Sequence, residues 1–308
     1  VKIHHRLEAP ATSRPLVLAI GFFDGLHAGH RAIVRTLMRL RRPGYRAGVL
    51  TFRNHPSTHL RPDKVPPLIS TVEERVNLLA STGIDELYLV PFDAPLASVD
   101  ARAFCTDILR GTLGIAGLVV GENFRFGHGR QGDATLAREL LAPHGIDVVA
   151  VAPVGDNDER VSSTRVRAAI LRGDMETADR LLVEPYAVRG RVELGAGRGH
   201  DLGFPTANLT LDPAKTLPPD GVYAVVGRHE ARDYNGLVSI GTNPTFEGRV
   251  RTVEAWLQDF QQTIYGEEVT LRRFRFLREQ RKFASVEELL DQMRADATHV
   301  RFPSFLPT

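Results

Sequence analysis

Cysteine occurs once in the 308 residues, at Cys105. An intramolecular disulfide is excluded, and a thiol in that amphipathic setting reads as buried and inert. Lysine is nearly as scarce, limited to Lys2, Lys64, Lys215 and Lys282. Positive charge therefore rests on arginine, whose fork suits bidentate phosphate recognition, although codon bias would give the same composition. Basic and acidic residues almost cancel, and a formal net charge of +2 argues against a dedicated nucleic-acid binder. No apolar run approaches the ~20 residues that span a bilayer, and Val1-Lys2-Ile3-His4-His5 carries no signal-peptide core. A cytoplasmic protein with neither a membrane nor a nucleic-acid partner is expected. Self-association stays open.

What the sequence does have is concentrated in a few segments. Gly21-Phe22-Phe23-Asp24-Gly25-Leu26-His27-Ala28-Gly29-His30 follows the apolar run Leu16–Ile20, a buried-strand pattern. It precedes a segment, Ala28–Arg41, whose Ile33, Val34, Leu37 and Leu40 recur at helical spacing. The glycines thus fall in a strand-to-helix turn, where backbone N–H groups and the helix N-terminus attract an anion. His27 and His30 lie at i and i+3, and with an unperturbed pKa near ~6.5 they can donate hydrogen bonds to phosphate and carry part of a positive charge. A single histidine there would read as structural; two in a glycine-bounded turn read as a phosphate site.

Through residue 183 strand-like runs (16–20, 47–52, 86–92, 118–120, 147–152) alternate with helical ones (28–41, 73–81, 100–109, 134–142). That alternation predicts an α/β doubly wound parallel sheet with its ligand beyond the carboxyl ends of the strands. Two short helices, 165–172 and 174–182, lead to a boundary before Pro185. Domains 1–183 and 184–308 are expected. The second changes to period two, with strands near 187–194, 221–228, 237–240, 253–260 and 269–277 and a helix near 286–295, which predicts an antiparallel β-barrel with a C-terminal helix. The tail beyond His299 has no clear period.

Three further segments carry chemistry. Val161-Ser162-Ser163-Thr164-Arg165-Val166-Arg167 reads either as an N-cap or as hydroxyls and an arginine around an anion. Gly121-Glu122-Asn123-Phe124-Arg125-Phe126-Gly127 leaves a strand, dense in glycine and aromatics, though a plain flexible loop has similar residues. Gly195-Ala196-Gly197-Arg198-Gly199-His200-Asp201-Leu202-Gly203-Phe204-Pro205-Thr206-Ala207-Asn208 offers backbone N–H groups for phosphate. It is not a P-loop, because no Gly-Lys-Ser/Thr follows its glycines. Thr206 and Asn208 are neutral oxygen donors at i and i+2 for Mg²⁺, or simply part of a turn. In Thr252-Val253-Glu254-Ala255-Trp256-Leu257 alternation puts Glu254 and Trp256 on one face, where a glutamate is either a surface carboxylate or a base.

Together these segments resemble the bacterial bifunctional riboflavin kinase/FMN adenylyltransferases, also called FAD synthetases, whose first half is an HxGH nucleotidyltransferase of Rossmann-like fold. Gly241-Thr242-Asn243-Pro244-Thr245-Phe246, Tyr265-Gly266 and Leu277-Arg278-Glu279 extend the likeness. The resemblance implies ATP, riboflavin and FMN as substrates, FAD as product and Mg²⁺ as cofactor. It assigns adenylyl transfer to His27, His30 and Arg167, with Gly21, Phe22, Phe23, Asp24, Gly25, Asn123, Ser163 and Thr164 around the nucleotide. It assigns riboflavin phosphorylation to Glu254 as base, with Gly197, Arg198, Gly199, Gly203 and Pro205 at the nucleotide and Thr206 and Asn208 at the metal. His55, Trp256 and Arg278 are its flavin contacts. Three departures stand out: Phe22 for the usual asparagine, Arg53-Asn54 for Glu-Pro, and Trp256 for histidine. They motivate alternatives in which the adenylyltransferase is weakened or the chain binds flavin without catalysis. A tRNA-linked role, through the shared HxGH-type site, lacks a plausible anticodon domain and a net basic charge.

Overall fold

The computed structural model describes residues 1–9, 11–194, 204–242 and 251–302. Contacts divide it into two compact units, Val1–Ser163 and Thr164–Thr308. That division lies earlier in the chain than the 183/184 boundary read from the sequence, because a helix just ahead of Pro185 packs on a strand of the second unit.

The first unit is a six-stranded sheet of β1 (Lys2–His4), β2 (Leu16–Ile20), β3 (Arg46–Phe52), β4 (Glu86–Val90), β5 (Ile115–Gly121) and β6 (Asp147–Val151). Its order is β1-β4-β3-β2-β5-β6, and every pairing is parallel. All five residues of β2 are buried, as an interior strand covered on both faces requires. From β2 the chain pairs with β3 on one side and later with β5 on the other, so the order reverses there. Such a switch point opens a crevice beyond the carboxyl ends of β2 and β5. A minor hairpin, β7 (Gly155–Asp156) with β8 (Glu159–Arg160), follows the sheet.

The crossovers use α1 (Ala28–Leu40), α2 (Ser57–Leu60), α3 (Val72–Ala80), α4 (Ala94–Ser98), α5 (Ala101–Ala103) and α6 (Ala134–Leu141). α1 buries Ile33, Val34 and Leu37, the stripe its spacing predicts. The helix expected over 100–109 is instead α5 continued by a wider π-type run, Phe104–Thr112, whose end is marked by an i→i+5 bond from Leu113 N to Ile108 O (2.9 Å). Inside that run Cys105 is fully buried, and burial pushes its thiol up to about 11, which fits an inert role. β1 was not foreseen. Three residues give no period, and the strand is held by tertiary contacts: its His4 stacks on Tyr88 at 4.5 Å, beside an Arg46–Glu86 ion pair of 2.6 Å.

In the second unit α7 (Ser163–Arg172) and α8 (Met175–Leu181) precede β9 (Ala187–Glu193), β10 (Thr206–Thr210), β11 (Gly221–His229), β12 (Arg232–Thr242), β13 (Arg251–Leu257) and β14 (Glu268–Arg278), and α9 (Val286–Ala297) follows. The strands close into an antiparallel barrel in the order β10-β13-β12-β11-β14-β9, with β10 pairing back to β9. β10 was not among the strands read from the sequence, where Pro205-Thr206-Ala207-Asn208 taken alone suited a turn. Thr206–Thr210 has little apolar alternation, and only its pairing on both edges makes it a strand.

Candidate active sites

At the carboxyl end of β2 the backbone takes an unusual path. Phe23, Gly25 and Leu26 have φ of 56°, 76° and 43°, a conformation that disfavours side chains and that surrounding contacts must hold. Asp24 supplies that hold. Its buried carboxylate accepts from Ile69 N (3.1 Å), Ser70 N (2.9 Å) and the Ser70 hydroxyl (3.2 Å), while Gly25 N donates to Ser70 Oγ (2.9 Å). Both Asp24 carboxylate oxygens thus accept from the Ile69-Ser70 segment. Phe23 is fully buried, and Gly21 leads into the turn by donating to Leu50 O at 3.1 Å.

The turn delivers His27 as the N-cap of α1, one residue outside the helix rather than on it. Its Nδ1 accepts from His30 N at 3.3 Å, and the two imidazoles stack with centroids 3.7 Å apart. Because Nδ1 accepts, the neutral ring carries its proton on Nε2. Gly29 is needed between them: a Cβ there would lie 3.0 Å from His27 Cε1. Burial lowers the His27 pKa to about 4, Asp24 opposing and Arg160 adding to the fall. Burial, then His27 and Arg75, takes His30 well below its ordinary value. The expected partial positive charge is thus corrected: with the rings desolvated, both are neutral donors near pH 7.

A stability consequence follows. The unfolded chain takes up His27's proton near pH 6.5 and the folded chain only near 4, so folding stability rises with pH across that window. Acidification from pH 7 to 4 should remove about 3 kcal/mol through His27 alone. Urea denaturation of wild type and His27→Asn at both pH values measures this, as the variant should lose less.

Asn123, Ser163 and His55 also belong to the first unit. Asn123 is exposed just past β5, on a loop pinned by the paired backbones of Phe126 and Gly132 (2.9 and 3.0 Å). Ser163 donates from Oγ to Asp24 O at 3.1 Å, which joins the start of α7 to the turn. Thr164, exposed, and Arg167, half-buried, lie farther along α7 and are counted with the second unit. His55 meets the Phe22 ring edge-on at 4.6 Å, and its Nδ1 accepts from Ser57 N at 3.0 Å.

The departures have physical counterparts. Phe22, in the asparagine position, lies under the Arg75 guanidinium at 4.2 Å. Asn54, in the proline position, exchanges two hydrogen bonds with the Phe92 backbone, both 2.9 Å. Arg53 Nη2 lies 2.8 Å from His5 Nδ1. The sequence reading missed Arg75 itself. It sits at i−4 from the buried Leu79 on α3, and a charged residue on the apolar face of a helix was the available signal.

On the barrel, β13 alternates buried Val253, Ala255 and Leu257 with half-buried Glu254 and Trp256, the predicted faces. Register places Glu254 between Asn208 of β10 and Ser239 of β12, and Trp256 between Thr206 and Leu237. Directly paired residues share a face, so Thr206, Asn208, Glu254, Ser239 and Trp256 form one surface. Gln280 Nε2 donates to Ser239 at 2.8 Å. The Phe204 ring lies 5.3 Å from that of Trp256, just past exposed Pro205. Asp296 of α9 accepts from Arg278 Nη2 and Nε at 2.8 and 3.0 Å, an ion pair that fastens the helix. Gly197, Arg198, Gly199 and Gly203, with Asn243-Pro244-Thr245-Phe246, lie outside the described residues.

A parallel sheet with stacked histidines at its switch point, followed by a barrel with a carboxylate between hydroxyl and amide oxygens, defines a nucleotidyltransferase unit joined to a kinase unit. A family model described as FAD synthetase matches residues 9–165, and one described as riboflavin kinase matches 182–302. The bifunctional riboflavin kinase/FMN adenylyltransferase of Bacillus subtilis is 35% identical over 286 residues, 91% of this chain and 90% of its own. That of Escherichia coli K12 is also 35% identical, over 97% of this chain and 95% of its own. The chain belongs to the family of bifunctional riboflavin kinase/FMN adenylyltransferases. A crystal structure from Streptococcus pneumoniae described as a macrolide-efflux protein has the same fold, with a TM-score of 0.85 and 34% identity over 96% of each chain. Among the described residues here, no helix is long and apolar enough to cross a membrane.

Proposed function

We propose that the chain makes FMN and then FAD, with residues 184–308 carrying the kinase and residues 1–183 the adenylyltransferase. In the first reaction a riboflavin ribityl hydroxyl attacks the γ-phosphorus of ATP; its proton passes to Glu254, and ADP leaves. A neutral hydroxyl benefits from such a base, and Glu254 has the exposure and the flanking oxygens to serve. Thr206 and Asn208 on β10 present only hard oxygen donors on the Glu254 face, a donor set that fits Mg²⁺ with its own waters. When bound there, Mg²⁺ would offset charge on the ATP phosphates.

In the second reaction the FMN phosphate, already largely dianionic, attacks the α-phosphorus of ATP, and pyrophosphate leaves. No base is required; positioning and charge stabilisation suffice. His27, with Nδ1 occupied by the α1 backbone, offers Nε2–H to a phosphate oxygen beside the N-terminus of α1, and His30 backs it by stacking. The Ser163-Thr164-x-x-Arg167 motif adds hydroxyls and a guanidinium for the triphosphate, and Asn123 a polar group beyond β5. Gly197, Arg198, Gly199, Gly203 and Pro205 retain their motif role at the kinase nucleotide, and Trp256 walls the flavin.

One observation carries the reading: each unit holds its own set, stacked imidazoles at a helix N-terminus in one and a carboxylate amid oxygen donors in the other. Chromatography of riboflavin, ATP and Mg²⁺ incubated with the protein should show FMN first and FAD after it. FMN alone would favour the reading in which the adenylyltransferase is weakened, and no product would favour a flavin-binding protein.

A further inference from the structure

We infer that Arg75 is a positioning residue for adenylyl transfer, its guanidinium joining the Phe22 carbonyl, two residues past β2, to the last carbonyl of β3 and bracing the turn that carries His27. The inference rests on the proposed adenylyltransferase reading of that site. Arg75 is fully buried, which an arginine tolerates only with strong partners. Nη2 donates to Phe52 O at 2.6 Å and Nη1 to Phe22 O at 3.3 Å. Phe22 O also accepts from the Thr51 hydroxyl at 2.9 Å, so this carbonyl, two residues before Asp24, is held from two directions. The planar face lies 4.2 Å from the centroid of the Phe22 ring, whose edge is covered by His55.

These contacts answer a requirement of the fold. Parallel strands leave their last carbonyls pointing into the crevice, where an anionic nucleotide is to bind, and unmasked carbonyls there repel phosphate. A fixed guanidinium neutralises both, and its fork reaches two strands where a lysine ammonium reaches a single point. Nε has no hydrogen-bond partner among the described residues. The guanidinium therefore sits where burial is costly and where hydrogen bonding alone does not fully compensate it, a cost expected at functional sites.

The charge also reaches the histidines. The groups facing the pair are Asp24, Arg75 and Arg160 besides the two rings themselves. Burial lowers Arg75 to about 10, still cationic at neutral pH, and that cation disfavours a proton on His30.

The test uses the whole chain, with riboflavin phosphorylation measured on each sample as the internal control. Wild type must first convert FMN and ATP to FAD; if it does not, the functional reading fails, not the assignment of Arg75. Given that activity, Arg75→Met should lower kcat for FAD formation about tenfold or more, the scale of one charged hydrogen bond, with KM for FMN and ATP changed little. Arg75→Lys should recover part of kcat. Wild-type kcat in Arg75→Met, or a loss confined to KM, would overturn the proposal. Should the methionine variant fail to fold, Arg75→Lys decides: a lowered kcat at unchanged KM supports it, and full activity sinks it.

Discussion

His27→Asn should lower the rate of FAD formation from FMN by ~10²–10³, the usual effect of removing one aimed donor from a developing oxyanion. Asparagine is chosen because its side-chain oxygen falls near the position of Nδ1, so the N-cap of α1 is kept while Nε2–H is lost. Alanine would remove both and mix a helix defect with the chemical one. Phosphorylation of riboflavin should be unchanged in this variant, because Glu254 lies in the other compact unit. Initial rates with FMN and with riboflavin, on one preparation, give both numbers. An adenylylation rate within a few-fold of wild type would remove Nε2–H as the donor and transfer the burden to α1 and Arg167.

Glu254→Gln should have the mirror-image effect: a loss of ~10²–10⁴ in riboflavin phosphorylation, with FMN-to-FAD conversion intact. Glutamine preserves the size of the side chain and the pairing of β13 with β10 and β12, so the barrel should fold normally. Only the capacity to take the ribityl proton disappears. Unchanged FMN output would exclude Glu254 as base and leave it a polar member of the strand face. The two variants together separate the reactions, which is the property expected of two independent sites on one chain.

How much of this was legible beforehand depends on whether the deciding contact was local. β2, β3, β4 and β5 were visible because an interior parallel strand must be apolar on both faces, and that needs no knowledge of its neighbours; the edge strand β6 showed through its apolar run alone. α1 was visible from its stripe. The His27-Ala28-Gly29-His30 turn stood out by residue type and spacing, whereas Glu254 was singled out by the family resemblance; period alone put it on the Trp256 face of β13.

Other features were set by partners distant in sequence. β10 exists because β9 and β13 offer it free edges, and its own residues would suit a turn equally well. Arg278 pairs with Asp296, which nothing in its local sequence signalled. The Asp24 carboxylate meets backbone N–H groups at Ile69 and Ser70, partners that its local sequence does not reveal. Arg75 looked like one more solvated charge on α3, and only the convergence of two strand ends beneath it makes that position functional.

The sequence by itself determined the family and its two kinds of chemistry, because the motifs that carry the resemblance are short runs of residues whose spacing folding does not alter. The tertiary structure decided the state of the groups in them. Desolvation made His27 and His30 neutral, the α1 backbone chose the tautomer of His27, and a guanidinium from a helix some fifty residues away became part of the floor of the site. Charge state and tautomer depend on burial and on which dipoles lie within a few ångströms, and those distances exist only once the chain has folded.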